Sequence, residues 1–377
     1  MFSLSDIKVL ELASVLAGPS VGQFFAELGA EVIKIENERQ GGDVTRSWKL
    51  SEEKDGDLSA YFCSVNWGKK SVALDLSGPD GRDTVKKLAA RSDIVVASYK
   101  PGDAAKLGVD YQTLRSVNPS LIYGQITGYG RDNSRVGYDA VIQAESGFMD
   151  LNGLADGPPT KMPVALIDLL AAHQLKEGLL LALLKKAKTG EGSFVEVSLI
   201  QAAVSSLANQ ASNWLVAGHL PKRQGSAHPN IAPYGEFFTT ADDKLILLAV
   251  GSDKQFADLC MLIGMADLAT SGKYQKNQLR VINRKQLHSV LQEQVSKLES
   301  SELLRNLHAK KIPAGSIQNL KEVFEMPEVA TLVMSAAGLK GVRTFVATPS
   351  GFSNTSSLTP PPHLGQHTEE VISKLRS

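Results

Sequence analysis

The residue with the clearest chemical potential is Asp168, an acidic side chain at the front of a helical pattern. Pro163-Val164-Ala165-Leu166-Ile167 precedes it, and Leu169, Ala172, Leu175, Leu179, Leu180 and Leu183 follow at helical spacing. The pattern closes on Lys185-Lys186 and Gly190, a helix-end signal. A carboxylate in a first helical turn meets unpaired N–H groups and the positive dipole end, which favours its ionised form. Two readings stand side by side: a helix N-cap, a preferred role for Asp, or a buried carboxylate nucleophile. His173, five residues further on, reads as a packing or capping side chain rather than a base.

Other chemistries lack their residues. The seven histidines form no metal-ligand spacing, and Cys63 and Cys260 stand far apart without a partner His. There is no Gly-x-Ser-x-Gly elbow, no phosphate P-loop and no Gly-x-Gly-x-x-Gly dinucleotide fingerprint. Gly137-Tyr138-Asp139 suffices for a simple turn, and the scattered Lys and Arg of the loops read as solvated surface.

The elements that must carry Asp168 alternate. Strand-like runs at 7–12, 31–36, 71–76, 93–98 and 121–126 are separated by helical patterns at Ala17 to Gly29, Arg82 to Ala90 and Tyr111 to Val117. Such alternation builds a doubly wound parallel sheet, an α/β fold whose ligands sit beyond the carboxyl ends of the strands. A further strand at 194–199 and a single helix at 201–216 follow the Asp168 helix. The Gly/Pro/His-rich stretch from His219 to Pro233 reads as a linker or active-site loop. A hairpin at 234–250 and helices near 256–262, 287–298 and 302–309 suggest a smaller α+β domain. The expected division is 1–217 for a large Rossmann-like domain, 218–330 for the small one, and 331–377 for an irregular tail returning to the first. That tail holds Pro349 and Pro360-Pro361-Pro362 and ends in a helix near Thr368.

Composition narrows the class. In 377 residues, Lys plus Arg and Asp plus Glu both total 40, so net charge points to neither nucleic acid nor an anionic membrane. The start, Met1 to Asp6, lacks a signal-peptide form, and the apolar run Gly178 to Leu184 is far shorter than the roughly 20 residues that span a bilayer. With two cysteines only, a cytoplasmic protein is expected.

Taken in order, these stretches resemble the family III CoA-transferases, the group that includes formyl-CoA:oxalate and carnitine CoA-transferases and the acyl-CoA racemases. The resemblance runs through Val9-Leu10-Glu11-Leu12 with Ala17-Gly18-Pro19, and Leu28-Gly29-Ala30-Glu31-Val32-Ile33-Lys34-Ile35-Glu36 with Gly42-Asp43. It continues through Asn66 to Leu76, Gly137-Tyr138-Asp139, Thr189-Gly190-Glu191-Gly192, His228-Pro229-Asn230 and Leu364-Gly365-Gln366-His367-Thr368. It implies a ring-shaped chain and an interlocked homodimer. Asp168 takes the place of the family's catalytic aspartate, and coenzyme A enters as a substrate rather than a resident cofactor. CoA contacts carry over to Leu16 and Ala17, to Leu74, Asp75, Leu76 and Ser77, to Ser98, Tyr99, Lys100 and Lys106, and to Val136, Gly137, Tyr138 and Asp139. Gly225 and Ser226 stand where oxyanion donors are expected. Asn37 replaces the family's nucleotide-binding arginine, leaving Arg39 or Arg46 to supply that contact, and the tetraglycine loop of the formyl-CoA transferases is missing.

The resemblance implies transfer of CoA between two carboxylic acids through anhydride and aspartyl-CoA thioester intermediates on Asp168, with succinyl-CoA as donor at the family level. The rivals are an α-methylacyl-CoA racemase or related isomerase or lyase, and a non-catalytic CoA-binding protein. Racemisation needs a proton donor and acceptor on opposite faces of the α-carbon. The racemases carry a histidine where this chain has Tyr138, and a phenol is a poor base at neutral pH.

Overall fold

The computed structural model describes residues 3–347, 350 and 358–376. Met1, Phe2 and Pro349, which figured in the reading of the two ends, lie outside them. The chain divides into two compact units: 1–148, 161–219 and 330–377 form the first, and 149–160 with 220–329 the second. The excursion at 149–160 groups with the second unit rather than with its sequence neighbours.

The first unit is built on six parallel strands, β1 (Lys8–Leu12), β2 (Glu31–Asn37), β3 (Lys69–Leu74), β4 (Ile94–Ala97), β5 (Ile122–Thr127) and β6 (Ser193–Ser198). Their order, β3-β2-β1-β4-β5-β6, is that of a doubly wound dinucleotide-binding sheet. Val9 pairs with Val32 on one side and Ile94 on the other. Successive residues alternate faces: Val9, Ile94, Val96 and Ile122 join one core cluster, while Leu10, Val95, Ala97 and Tyr123 join the other. Both faces are thus covered, which is why the central strand β4 is continuously apolar.

Helix α1 (Ala17–Glu27) and helices α2 (Pro79–Ala90), α3 (Asp139–Glu145), α4 (Leu166–Thr189) and α5 (Ala208–Leu215) are the ones that matter for the site. On α4 the spacing of Ile167, Ala171, Leu175 and Leu179 presents one buried stripe to the sheet. Lys186 and Lys188 occupy its last turn, and Gly190 closes it with a φ of +73°. The expected single helix at 201–216 is instead two, Leu199–Ser205 and α5, because Ala208 at the start of α5 takes a φ of +49°. Edge strand β3 is covered by the tail: His367 N donates to Ser71 O at 2.9 Å, and Ala73 N to Thr368 Oγ1 at 3.0 Å. The Leu364 to Thr368 motif therefore seals a sheet edge.

The second unit packs β7 (Tyr234–Thr239), β8 (Leu245–Ala249) and β9 (Ala314–Ser316), an antiparallel sheet, with helices at 253–262, 284–295 and 300–309. Phe238, Ile246, Phe256, Leu291 and Leu307 form its core. Among the described residues no helix is long and apolar enough to cross a membrane.

Candidate active site

A cleft of about 1000 Å³ opens at the carboxyl ends of β1 to β4, over the point where strand order reverses between β1 and β4. Open α/β sheets bind their ligands at such a switch point. Asp75, Leu76, Ser77, Ser98, Tyr99 and Lys106 line it. Burial pushes the Tyr99 phenol up to about 12, so it serves there as a neutral hydroxyl. Leu16 and Ala17 sit buried at the head of α1, Leu74 is buried within β3, and Lys100 is exposed at the end of β4.

The two arginines that sequence left as nucleotide contacts separate cleanly. Arg46 is buried and forks onto Glu36, Nε to Oε2 at 2.8 Å and Nη2 to Oε1 at 2.6 Å, with its face 3.7 Å from the Phe62 ring. Its remaining donors reach the Pro362 carbonyl and Asp57. That side chain is committed to holding the loop and the tail. Arg39 is exposed and meets Asp75 at 2.9 Å, an exchangeable surface pair at the cleft.

Asp168 stands in the first turn of α4, 8% exposed. It is not the N-cap: that position is Ala165, which offers no side chain. The cap comes from α3 instead. Asp139 Oδ1 accepts the Ile167 N–H at 2.8 Å, and its Oδ2 accepts Gln143 Nε2 at 2.6 Å. Gln143 in turn accepts the Met162 N–H at 2.9 Å, tying the approach strand to α3. The segment before Asp139 is fixed by a glycine contact, since a Cβ on Gly137 would fall 2.7 Å from Gly128 Cα. Val136 and Tyr138 remain exposed.

The ionisation expected from the helix dipole is corrected by this geometry. Burial, and then the neighbouring Asp139 carboxylate, push Asp168 up to about 7. Tyr61 was missed from sequence. Its phenol is raised by burial and then by the charges of Asp168, Asp139 and Asp43. His173 is exposed rather than packed. Lys176, two turns after Asp168, is buried 5.4 Å from the Phe24 ring, and burial lowers it to about 8.

In the second unit Gly225, with a φ of +64°, donates its N–H to the Gly153 carbonyl at 3.1 Å, so this donor is occupied. The Ser226 carbonyl presses on Gly235, where a Cβ would overlap it.

The sequence from residue 4 to residue 368 matches CoA-transferase family III. The chain belongs to that family. A succinate–glutarate CoA-transferase of Agrobacterium fabrum is 38% identical, the alignment spanning 99% of this chain and 96% of the relative. The human succinyl-CoA:glutarate CoA-transferase is 37% identical over 99% of this chain and 86% of its own length. A solved CAIB/BAIF family protein from Brucella suis superimposes with a TM-score of 0.85 at 36% identity, covering 98% of each chain. As a family III CoA-transferase, the protein is an enzyme, and the chemistry to be housed is CoA exchange between acids.

Proposed function

We propose that this enzyme moves CoA from a succinyl-CoA-like donor to a dicarboxylic acid such as glutarate, with Asp168 as the nucleophile. The names of the relatives support the substrate class. The observation that carries the nucleophile is Asp168 itself: a buried carboxylate in a helix first turn, beside an N–H that Asp139 already holds.

The steps balance without an added reagent. Asp168 attacks the donor thioester carbonyl and expels CoA thiolate, leaving a mixed anhydride. The thiolate attacks the aspartyl carbonyl, releasing the donor acid and forming an aspartyl-CoA thioester. The acceptor carboxylate displaces CoA from that thioester, and the thiolate then takes the acceptor acyl group and frees Asp168. First-turn N–H groups of α4 would face the developing oxyanions. Acyl-CoA would lie in the switch-point cleft against Ser77, Ser98 and Tyr99, its phosphates drawing on Lys106 and on Arg39, which pairs with the cleft-lining Asp75.

Exposed apolar side chains on α4 (Leu180, Leu181, Leu184) and α5 (Trp214, Leu215) support a homodimer through these helices, with the interlocked rings of the family. Two free thiols are in keeping with a cytoplasmic enzyme.

Incubating the protein with succinyl-CoA and glutarate, quenching with hydroxylamine and weighing the chain tests the reading. A mass change confined to Asp168, absent from Asp168→Ala, supports it. Exchange of the α-proton with solvent deuterium and no CoA transfer would favour the racemase instead.

A further inference from the structure

Two walls of the cleft share a buried ion network that the transfer steps do not use. Lys34 Nζ lies 2.9 Å from both Glu11 Oε1 and Asp43 Oδ2, and Lys69 Nζ lies 2.8 Å from Glu11 Oε2. All four side chains are buried. Burial opposes the charge on Lys34, but Glu11, Asp43 and Glu36 outweigh it and raise the ammonium above its ordinary range. Four desolvated charges are a poor way to gain stability, since apolar residues of the same volume often do as well or better. The network calls for another reason.

Lys69 also donates to the Pro19 carbonyl and Asn66 Oδ1, and Asp43 Oδ1 caps the turn at 44–47 through Thr45. Other bonds of the network meet at the turn before α1. Lys34 Nζ donates to the Ala13 carbonyl at 2.7 Å, and both Asp43 oxygens accept the Val15 N–H at 3.2 Å. Ser98 Oγ accepts the neighbouring Ser14 N–H, also at 3.2 Å. Val15 sits at a φ of +71°. A β-branched residue in the left-handed region is strained and persists only where its surroundings over-determine it. Ala13 and Ser14 line the cleft, and Leu16 and Ala17 follow directly at the head of α1.

We propose that Lys34 and Asp43 are positioning residues that hold Val15 left-handed and so fix the backbone of Leu16 and Ala17 against the bound acyl-CoA. The inference rests on the transferase reading and deepens it. A relaxed Val15 would rotate the peptide planes on either side, and a misplacement of about 1 Å costs about 100-fold in rate. Glycine occupies positive φ without strain. It should therefore make the clamp dispensable.

The test compares kcat and KM for succinyl-CoA in the wild type, Asp43→Asn and the double variant Val15→Gly/Asp43→Asn. Asp43→Asn should lose about 100-fold in kcat, the factor expected of misplacement rather than lost affinity. The double variant should return to within about 5-fold of wild type, because the left-handed turn then forms unaided. A double variant as slow as the single one means that Asp43 does not act through the Val15 turn, and that result overturns the proposal. So does Asp43→Asn at the wild-type rate. Should the single variant fail to fold, the folded double variant is read directly: near-native turnover supports the clamp, slow turnover sinks it. A wild-type chain that transfers CoA to no dicarboxylate is a different result, and removes the parent reading.

Discussion

Asp139 accepts the Ile167 N–H at 2.8 Å from a helix 28 residues upstream, so the first turn of α4, which carries Asp168, is capped from outside its own sequence. Removing that acceptor leaves a buried N–H unpaired next to Asp168. Asp139→Ala should cost about 1–2 kcal/mol of stability, the usual price of a lost N-cap. It should also lower kcat through the displaced nucleophile. Asp139→Asn keeps an oxygen for Ile167 but sets an amide against the Gln143 donor, so it should destabilise less. Denaturant melts and steady-state rates on both variants check the order.

The pH dependence follows from burial. A nucleophilic carboxylate must be ionised, and Asp168 is pushed up to about 7 by burial and then by Asp139. The kcat/KM should rise with pH through about 7 and level off above it. Asp139→Asn removes the second cause, so the midpoint should move to lower pH. A profile flat between pH 5 and 8, measured in constant ionic strength, would contradict the assignment; those limits bracket the value of about 7.

Stability has the opposite sign from that of an ordinary paired carboxylate. An unfolded Asp titrates near about 3.9, so between there and about 7 the folded chain holds a proton the unfolded chain lacks. Stability therefore falls as pH rises across that window, by an amount on the order of 4 kcal/mol for this group alone. Asp168→Asn abolishes the term. It should melt higher than wild type at pH 8 and no higher near pH 4, while transferring no CoA.

The arginines predict a clean division of effects. Arg39→Ala removes an exposed cation at the cleft and should raise KM for acyl-CoA several-fold with kcat unchanged, the loss shrinking in high salt. Arg46→Ala leaves Glu36 buried without its fork and should cost about 3–5 kcal/mol of stability. Titration with CoA, paired with urea melts, separates the two.

How much of this was legible depended on whether neighbours in space were also neighbours in sequence. The six strands could be read from short alternating or apolar runs set between helical patterns, and Asp168 because it interrupts an apolar run. Asp139 looked like a turn residue or, by resemblance, a CoA contact, since nothing local says that its carboxylate reaches Ile167. Arg46 was a candidate nucleotide contact and Lys34 one residue of a strand; only the fold shows both buried and paired. Strand β9, Ala314-Gly315-Ser316, has no apolar alternation to betray it. The hairpin of β10 (Val333–Ala336) and β11 (Leu339–Val342) is similarly short and half-exposed. The break at Ala208 was hidden because neither Gly nor Pro marks it.

The turn that leads into α1 offers a last test that needs no substrate. A Cβ on Gly18 would overlap the Ala13 Cβ, so Gly18→Ala must push α1 away from the end of β1. Overpacking of this kind typically costs about 1–3 kcal/mol. The obstructing atom is a single methyl carbon, and the next nearest neighbour, Ala13 Cα, lies 3.7 Å away. Deleting that methyl should therefore recover most of the loss. In urea melts, Gly18→Ala should unfold early, and Ala13→Gly/Gly18→Ala should regain more than Ala13→Gly alone loses. Simple additivity of the two single variants would mean that the overlap is relieved elsewhere, and that the turn does not bear on the helix through this contact.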